Sequence, residues 1–312
     1  MNYLIAIVGP TGIGKSRLAL HLSRVLNGEI VSADSRQVYR YMDIGTAKPS
    51  PKELSLVPHH LINIVSPDES FSLAQYQQLA RQAIDDIQQR HKLPLLVGGS
   101  GLYIWSVLEG WRIPRVPPDL EFRHRLEERA AEAGPEALYQ ELVKVAPVAA
   151  RKVDRQNLRR VIRALEVHRA TKSPFPQPQN KEAPPFTTLI VGLTADRKEL
   201  YSRIDLRIDE MIRQGLVEEV KRLANMGYGL NLPAISGIGY RQIGLYLKGE
   251  FPLASAIPQI KSETHRFVRR QYNWFRLKDD RIKWFDIQGD TDSEITELVA
   301  KFIGEEKIAK RG

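Results

Sequence analysis

Gly9-Pro10-Thr11-Gly12-Ile13-Gly14-Lys15-Ser16 decides how the rest of the chain is read. It fits the pattern G-x-x-x-x-G-K-[ST]. It lies between an apolar run, residues 3–8, and a stretch of helical periodicity, residues 16–26, in which Leu18, Leu22 and Val25 share one side. That strand–turn–helix context makes the pattern a phosphate-binding loop, or P-loop. Glycines let successive backbone N–H groups turn inward around phosphate oxygens, and the helix N-terminus adds its positive dipole end. Gly9, Pro10, Thr11, Gly12, Ile13, Gly14, Lys15 and Ser16 are therefore expected to hold a diphosphate. Lys15 supplies a point charge, and the Ser16 hydroxyl is the expected ligand for Mg²⁺. The motif specifies phosphate and leaves the ester open.

Working outward, residues 29–33 read as a second strand, 61–65 as a third, 72–90 as a helix, and 93–97 as a fourth strand closed by Gly98 and Gly99. This β-α-β alternation predicts a parallel sheet with helices on both faces. Residues 111–118 carry three prolines and break the pattern, and 119–172 are helical in pattern and rich in charge. Residues 173–185 contain five prolines and predict an extended connection. Strand character resumes at 186–193, helices follow, and 282–287 offers a last short strand. The expected class is α/β: a P-loop NTPase-like parallel sheet flanked by helices, with an inserted all-helical subdomain. Residues 1–114 and 186–312 form the core, and 115–185 the insertion.

Most P-loop proteins are NTPases or kinases, which place an acidic residue after a later apolar strand to hold Mg²⁺. Here residues 93–97 run into Gly98-Gly99-Ser100-Gly101 with no carboxylate, and the strand at 186–193 reaches none before Asp196. Asp34, closing the second strand, is the first carboxylate positioned to reach the loop, because ligands of open α/β sheets sit beyond the strands' carboxyl ends. The competing reading is an aspartate that only caps a turn.

The 312 residues hold 46 basic and 37 acidic side chains, a net charge of +9. That balance attracts polyanions, nucleic acid foremost, and equally anionic membranes or small phosphorylated substrates. No apolar run approaches the roughly 18–20 residues that cross a bilayer, so no membrane partner is expected. The chain has no cysteine, which excludes disulfides, thiolate catalysis and cysteine-based zinc sites. The expected location is the cytoplasm.

Several strings extend the pattern: ADSRQVYR from Ala33, DIGTAKP from Asp43, PHHLIN from Pro58, GGSGLY from Gly98, DRQNLRRVIRALEV from Asp154, SGIGYRQ from Ser236 and THRFVRRQYNWFR from Thr264. In this order and spacing, over residues 5–280, the chain resembles the tRNA dimethylallyltransferase family. Ser16 and Ser100 stand where the family often has threonine, and Asn63 replaces a common aspartate. The resemblance implies alkylation by dimethylallyl diphosphate of the exocyclic N6 amine of the adenosine 3′-adjacent to the anticodon in tRNA, with release of pyrophosphate. It implies Asp34 as the general base, with Lys15 and Arg207 assisting at the diphosphate and the Thr11 hydroxyl close to the same substrate. It also implies tRNA contacts at Asp34, Ser35, Arg36 and Gln37, at Ser100 and Arg123, and at Gln156, Asn157, Leu158, Arg159 and Arg160. No protein partner is implied.

The arginines fit an RNA surface on their own account. Arg151, Lys152, Arg155, Arg159, Arg160, Arg163 and Arg169 crowd 19 residues beside an apolar stripe of Leu158, Val161, Ile162 and Leu165. Arg266, Arg269, Arg270 and Arg276 interleave with Phe267, Tyr272, Trp274 and Phe275, a mixture suited to phosphate contact and base stacking. A core role for the aromatics competes, since Val268, Tyr272 and Phe275 share a side. Adjacent His59 and His60 rarely point at one ion, and they read as structural residues of a loop. Two rival functions remain open on sequence alone: a small-molecule or nucleotide kinase, and a nucleotide-gated RNA-binding protein without catalysis.

Overall fold

The computed structural model describes residues 2–114, 116–171, 181–289 and 291–304. The chain runs β1 (Tyr3–Val8), α1 (Lys15–Val25), β2 (Gly28–Ser32), α2 (Pro51–Leu56), β3 (His59–His60), α3 (Leu73–Gln89), β4 (Leu93–Val97) and α4 (Gly101–Leu108). Then come α5 (Leu120–Ala133), α6 (Pro135–Val145), α7 (Pro147–Ala150) and α8 (Leu158–Thr171). It continues through β5 (Thr187–Thr194), α9 (Arg197–Arg213), α10 (Leu216–Asn225), α11 (Tyr240–Leu247), α12 (Leu253–Trp274), β6 (Ile282–Asp286) and α13 (Thr291–Phe302). It divides into two compact units, residues 1–108 with 184–312, and residues 109–183.

The first unit is one parallel six-stranded sheet in the order β3-β2-β4-β1-β5-β6. Ile5 pairs with Leu95 on one side and Leu189 on the other, so β1 lies between the two halves of the sheet. Leu4 to Val8 of β1 are wholly buried, as parallel strands covered on both faces require. Helix α3 starts on a capping box, Ser72 with Gln75, which satisfies donors the first turn leaves free. The turns after β1, β2 and β4 emerge at the same carboxyl-terminal edge, where ligands of such sheets bind.

Two expectations are corrected here. The third strand is only His59–His60, not 61–65, because Leu61 (φ 64°) and Asn63 (φ 57°) adopt left-handed backbone that breaks a strand. On α1 the inward apolar set is Leu18, Ala19 and Leu22, joined by Leu26 at the C-cap, whereas Val25 is exposed.

The second unit is helical and has its own core, with Leu126, Leu138, Leu142, Val161, Ile162 and Leu165 at its centre. Its two ends meet: Trp111 forms an antiparallel bridge with Lys181, and Glu182 N–H donates to Gly110 O at 2.9 Å. This closure begins the unit at Glu109, a few residues before the proline-rich break at 111–118. Residues 173–180 of the proline-rich connection lie outside the described residues. No helix among the described residues is long and apolar enough to cross a membrane.

Candidate active site

Two clefts open at the carboxyl-terminal edge of the sheet in the first unit. One, of about 1030 Å³, is lined by the phosphate loop, the 43–54 segment and α9. The other, of about 740 Å³, is lined by the turns after β2 and β4, by α9 and by α12. Thr11, Lys15, Asp34, Thr46 and Arg207 line both, so the two clefts meet at these side chains.

The loop after β1 is shaped by close packing. Gly12 (φ +81°) sits so near α9 that a Cβ would lie 2.9 Å from Ile204 Cγ1, which together with the left-handed backbone demands glycine. Lys15 Nζ donates to Pro10 O at 2.7 Å. Its ammonium is pulled from 10.5 to about 7, chiefly by burial, then by neighbouring Arg207, with Asp34 opposing. Burial lowers Arg207 as well, again against Asp34. A junction holding two cations and one carboxylate, with the cations poorly solvated, is a strong attractor for a diphosphate.

Asp34 follows β2, and its Oδ1 accepts from Arg36 N–H at 2.8 Å. Beneath it Tyr76 and Tyr103 stack at 3.7 Å between ring centroids. Burial raises both phenols, and the Asp34 charge contributes to each. Ser100 Oγ accepts from Ser35 N–H at 3.1 Å, tying the β4 turn to the β2 turn. Arg36 Nη1 donates to Pro233 O and Ala234 O at 2.7 and 2.9 Å. Gln37 donates to Thr46 O and Ala47 O and accepts from Ser32 Oγ. Asp34, Ser35, Arg36 and Ser100 line the second cleft, and Gln37 lines the first.

The DIGTAK segment is organised by residues that sequence reading missed. Glu219, 1% exposed, accepts from the N–H groups of Asp43, Ile44 and Gly45 at 3.0, 2.8 and 3.1 Å and from Tyr240 OH at 2.6 Å. Lys48 Nζ donates to Asp43 Oδ1 at 2.8 Å and Asn63 Oδ1 at 2.6 Å, so Asn63 serves as a neutral acceptor. On α12, Gln271 accepts from Thr11 N–H at 2.9 Å and donates to Gly99 O at 3.0 Å. The cue for Glu219 and Gln271 was a polar residue on an apolar helical stripe, Glu219 beside Leu216, Val220 and Leu223, and Gln271 beside Val268 and Phe275. His60 Nε2 lies 2.7 Å from buried Glu29, and His59 Nδ1 lies 2.8 Å from Val57 O.

The aromatics of α12 and its C-terminal cap divide between core and surface. Val268 and Phe275 are buried and Tyr272 is half-buried, whereas Phe267 and Trp274 are exposed and line the second cleft with Arg270. In the helical unit, Arg151, Lys152, Arg155, Gln156, Arg159 and Arg160 are exposed. Asn157 Oδ1 caps α8 by accepting from Arg160 N–H, and Leu158 packs on the unit's core. Arg123 is paired with the buried carboxylate of Glu166 at 2.8 Å, and Arg163 pairs with the same group. Arg169 lies over Phe122 and reaches Asp119.

The family model described as IPP transferase matches residues 37–278. A tRNA dimethylallyltransferase of Dehalococcoides mccartyi is 49% identical over 302 residues, covering 97% of this chain and 93% of the relative. One of Roseiflexus castenholzii is 53% identical over 273 residues, covering 88% and 89%. Among solved structures, the tRNA isopentenylpyrophosphate transferase of Bacillus halodurans superposes with a TM-score of 0.71 at 40% identity, covering 100% of this chain and 99% of the other. A eukaryotic dimethylallyltransferase, solved acting on tRNA, gives 0.82 at 28% identity, covering 100% and 82%.

Proposed function

Since the chain belongs to the IPP transferase family, we propose that it transfers a dimethylallyl group from dimethylallyl diphosphate to the N6 amine of an adenosine in tRNA, releasing pyrophosphate. The family resemblance supports the adenosine 3′-adjacent to the anticodon as the acceptor and the cytoplasm, where tRNA is modified, as the location. The observation that carries this reading is the junction. One cleft has a phosphate loop as its floor, the other opens among Phe267, Arg270 and Trp274, and Asp34 lines both.

An adenine amine is a weak nucleophile because its lone pair is delocalised into the ring. In the proposed reaction the C–N bond forms as the donor C1–O bond breaks, and the N6 proton passes to Asp34. A base within hydrogen-bond reach contributes roughly 10²- to 10⁴-fold. Charge then develops on the departing pyrophosphate, where Lys15, Arg207 and the loop amides oppose it. Thr11 lines the same junction. Ile204, Ile208 and Met211 of α9 give the second cleft an apolar wall beside Arg207, fitting a donor with a hydrocarbon tail. The target base must leave its stack to reach such a junction.

Mg²⁺ fits the donor set. Ser16 is exposed in the first cleft beside Lys15, and a hydroxyl joined by diphosphate oxygens and water suits a hard cation that keeps much of its hydration. Among the described residues no group of three or more histidines or carboxylates forms a protein cage. When bound, the ion supplies charge neutralisation at the leaving group.

Mass spectrometry of unmodified tRNA incubated with protein, Mg²⁺ and dimethylallyl diphosphate tests the function. The expected product is one prenylated adenosine per tRNA. Unmodified RNA, with phosphoryl transfer from ATP to a small acceptor, would support the kinase reading in its place.

A further inference from the structure

We infer that Gln271 is a positioning residue, whose carboxamide fixes the phosphate loop to the turn after β4 and so sets the separation between the leaving-group cradle and Asp34. The inference rests on the transfer reaction proposed above.

Gln271 is 4% exposed and uses both ends of its amide. Oε1 accepts from Thr11 N–H and Nε2 donates to Gly99 O. The Thr11 amide is thereby held towards α12. Gly99 leaves room for this contact: a Cβ there would lie 2.2 Å from Gln271 Nε2 and force the amide to shift. The next residue, Ser100, accepts from Ser35 N–H, and Ser100 N–H donates to Ala33 O at 3.3 Å. The backbone on both sides of Asp34 is therefore anchored to the β4 turn, and that turn is anchored through Gln271 to the phosphate loop. One buried amide closes a circuit through the ends of β1, β2 and β4.

Removing the amide leaves Thr11 N–H and Gly99 O without their partner, and leaves the two halves of the junction free to drift. In-line transfer is sensitive to such drift, since a misplacement of about 1 Å costs on the order of 10²-fold in rate. Binding depends on many contacts and tolerates it better.

The test uses Gln271→Met, which keeps length and volume but neither hydrogen bond, and Gln271→Glu, which keeps the acceptor for Thr11 and loses the donor to Gly99. Expected for Gln271→Met is a kcat lower by about 10- to 100-fold with KM for donor and tRNA within about threefold of the natural protein. Gln271→Glu is expected to fall between the two. Hydrogen exchange in residues 9–16, read without any reaction, is expected to quicken in Gln271→Met. Natural kcat in either folded variant overturns the inference, as does a loss explained wholly by weaker tRNA binding or lower thermal stability. Absence of transfer by the natural protein instead removes the proposed function, and the exchange measurement still decides whether Gln271 holds the loop.

Discussion

Arg207 stands close enough to Lys15 to depress its ammonium, and burial, the larger cause, together with this repulsion brings it down to about 7 against the opposing pull of Asp34. Below about pH 7 Lys15 is protonated and attracts a diphosphate; above it the empty site loses that charge. Affinity for inorganic pyrophosphate is therefore expected to weaken from about pH 6 to about pH 9, and binding above pH 7 to take up as much as about one proton. Calorimetry in buffers of different ionisation enthalpy reads both. Lys15→Met should abolish the proton uptake. The unfolded lysine binds its proton more tightly than the buried one, so the natural protein should gain stability relative to Lys15→Met as pH rises from 7 towards 10.5. A pyrophosphate affinity that is flat with pH would remove Lys15 as the switching charge.

Asp34 offers a cleaner separation of chemistry from binding. Asp34→Asn keeps an oxygen for Arg36 N–H and loses the base. Single-turnover transfer is expected to slow by roughly 10²- to 10⁴-fold, with tRNA affinity within about twofold, since a neutral amide makes similar hydrogen bonds. Rapid-quench transfer and filter binding on the same preparation check the pair. Transfer at the natural rate would disqualify Asp34.

Much of this site can be read from the chain, and the part that cannot has a common physical character. The phosphate loop, the β2 and β4 strands and Asp34 are legible because a short apolar run followed by glycine or aspartate is a local signal. Gln271 and Glu219 act across 260 and 176 residues on Thr11 and Asp43, and no local pattern reports such a partner. Each sits on the apolar side of an amphipathic helix, where a polar residue reads as an interruption of the stripe. The third strand differs from its sequence pattern for the opposite reason: Leu61 and Ile62 look like strand residues, but positive φ at Leu61 and Asn63 is a backbone property that their side chains do not announce.

Glu219 gives the next expectation. Its carboxylate is the partner of three backbone N–H groups and the Tyr240 hydroxyl. Glu219→Ala strands these donors in a buried site, at a cost of about 3–5 kcal/mol. Denaturant unfolding is expected to show that loss. Glu219→Gln keeps one acceptor oxygen and should recover part of it. If Glu219→Ala unfolds at the natural midpoint, the 43–45 turn does not depend on this carboxylate.

The arginines of the helical unit divide by what they touch, and the division can be measured. Arg159 and Arg160 are exposed, so Arg159→Ala and Arg160→Ala should each weaken tRNA binding and lower the salt slope by about 1, with thermal unfolding unchanged. Arg123 behaves differently. Burial pushes the Glu166 carboxyl up, yet Arg123, Arg163 and the Asp119 N–H hold it below the usual range. Arg123→Ala removes one partner from a carboxylate that is 3% exposed, which should cost about 1–3 kcal/mol because Arg163 remains. Its effect on tRNA should follow from that loss: full affinity at low temperature, declining as the unit melts. An Arg123→Ala protein with natural stability and a reduced salt slope would show Arg123 acting on RNA directly, as the family resemblance implies.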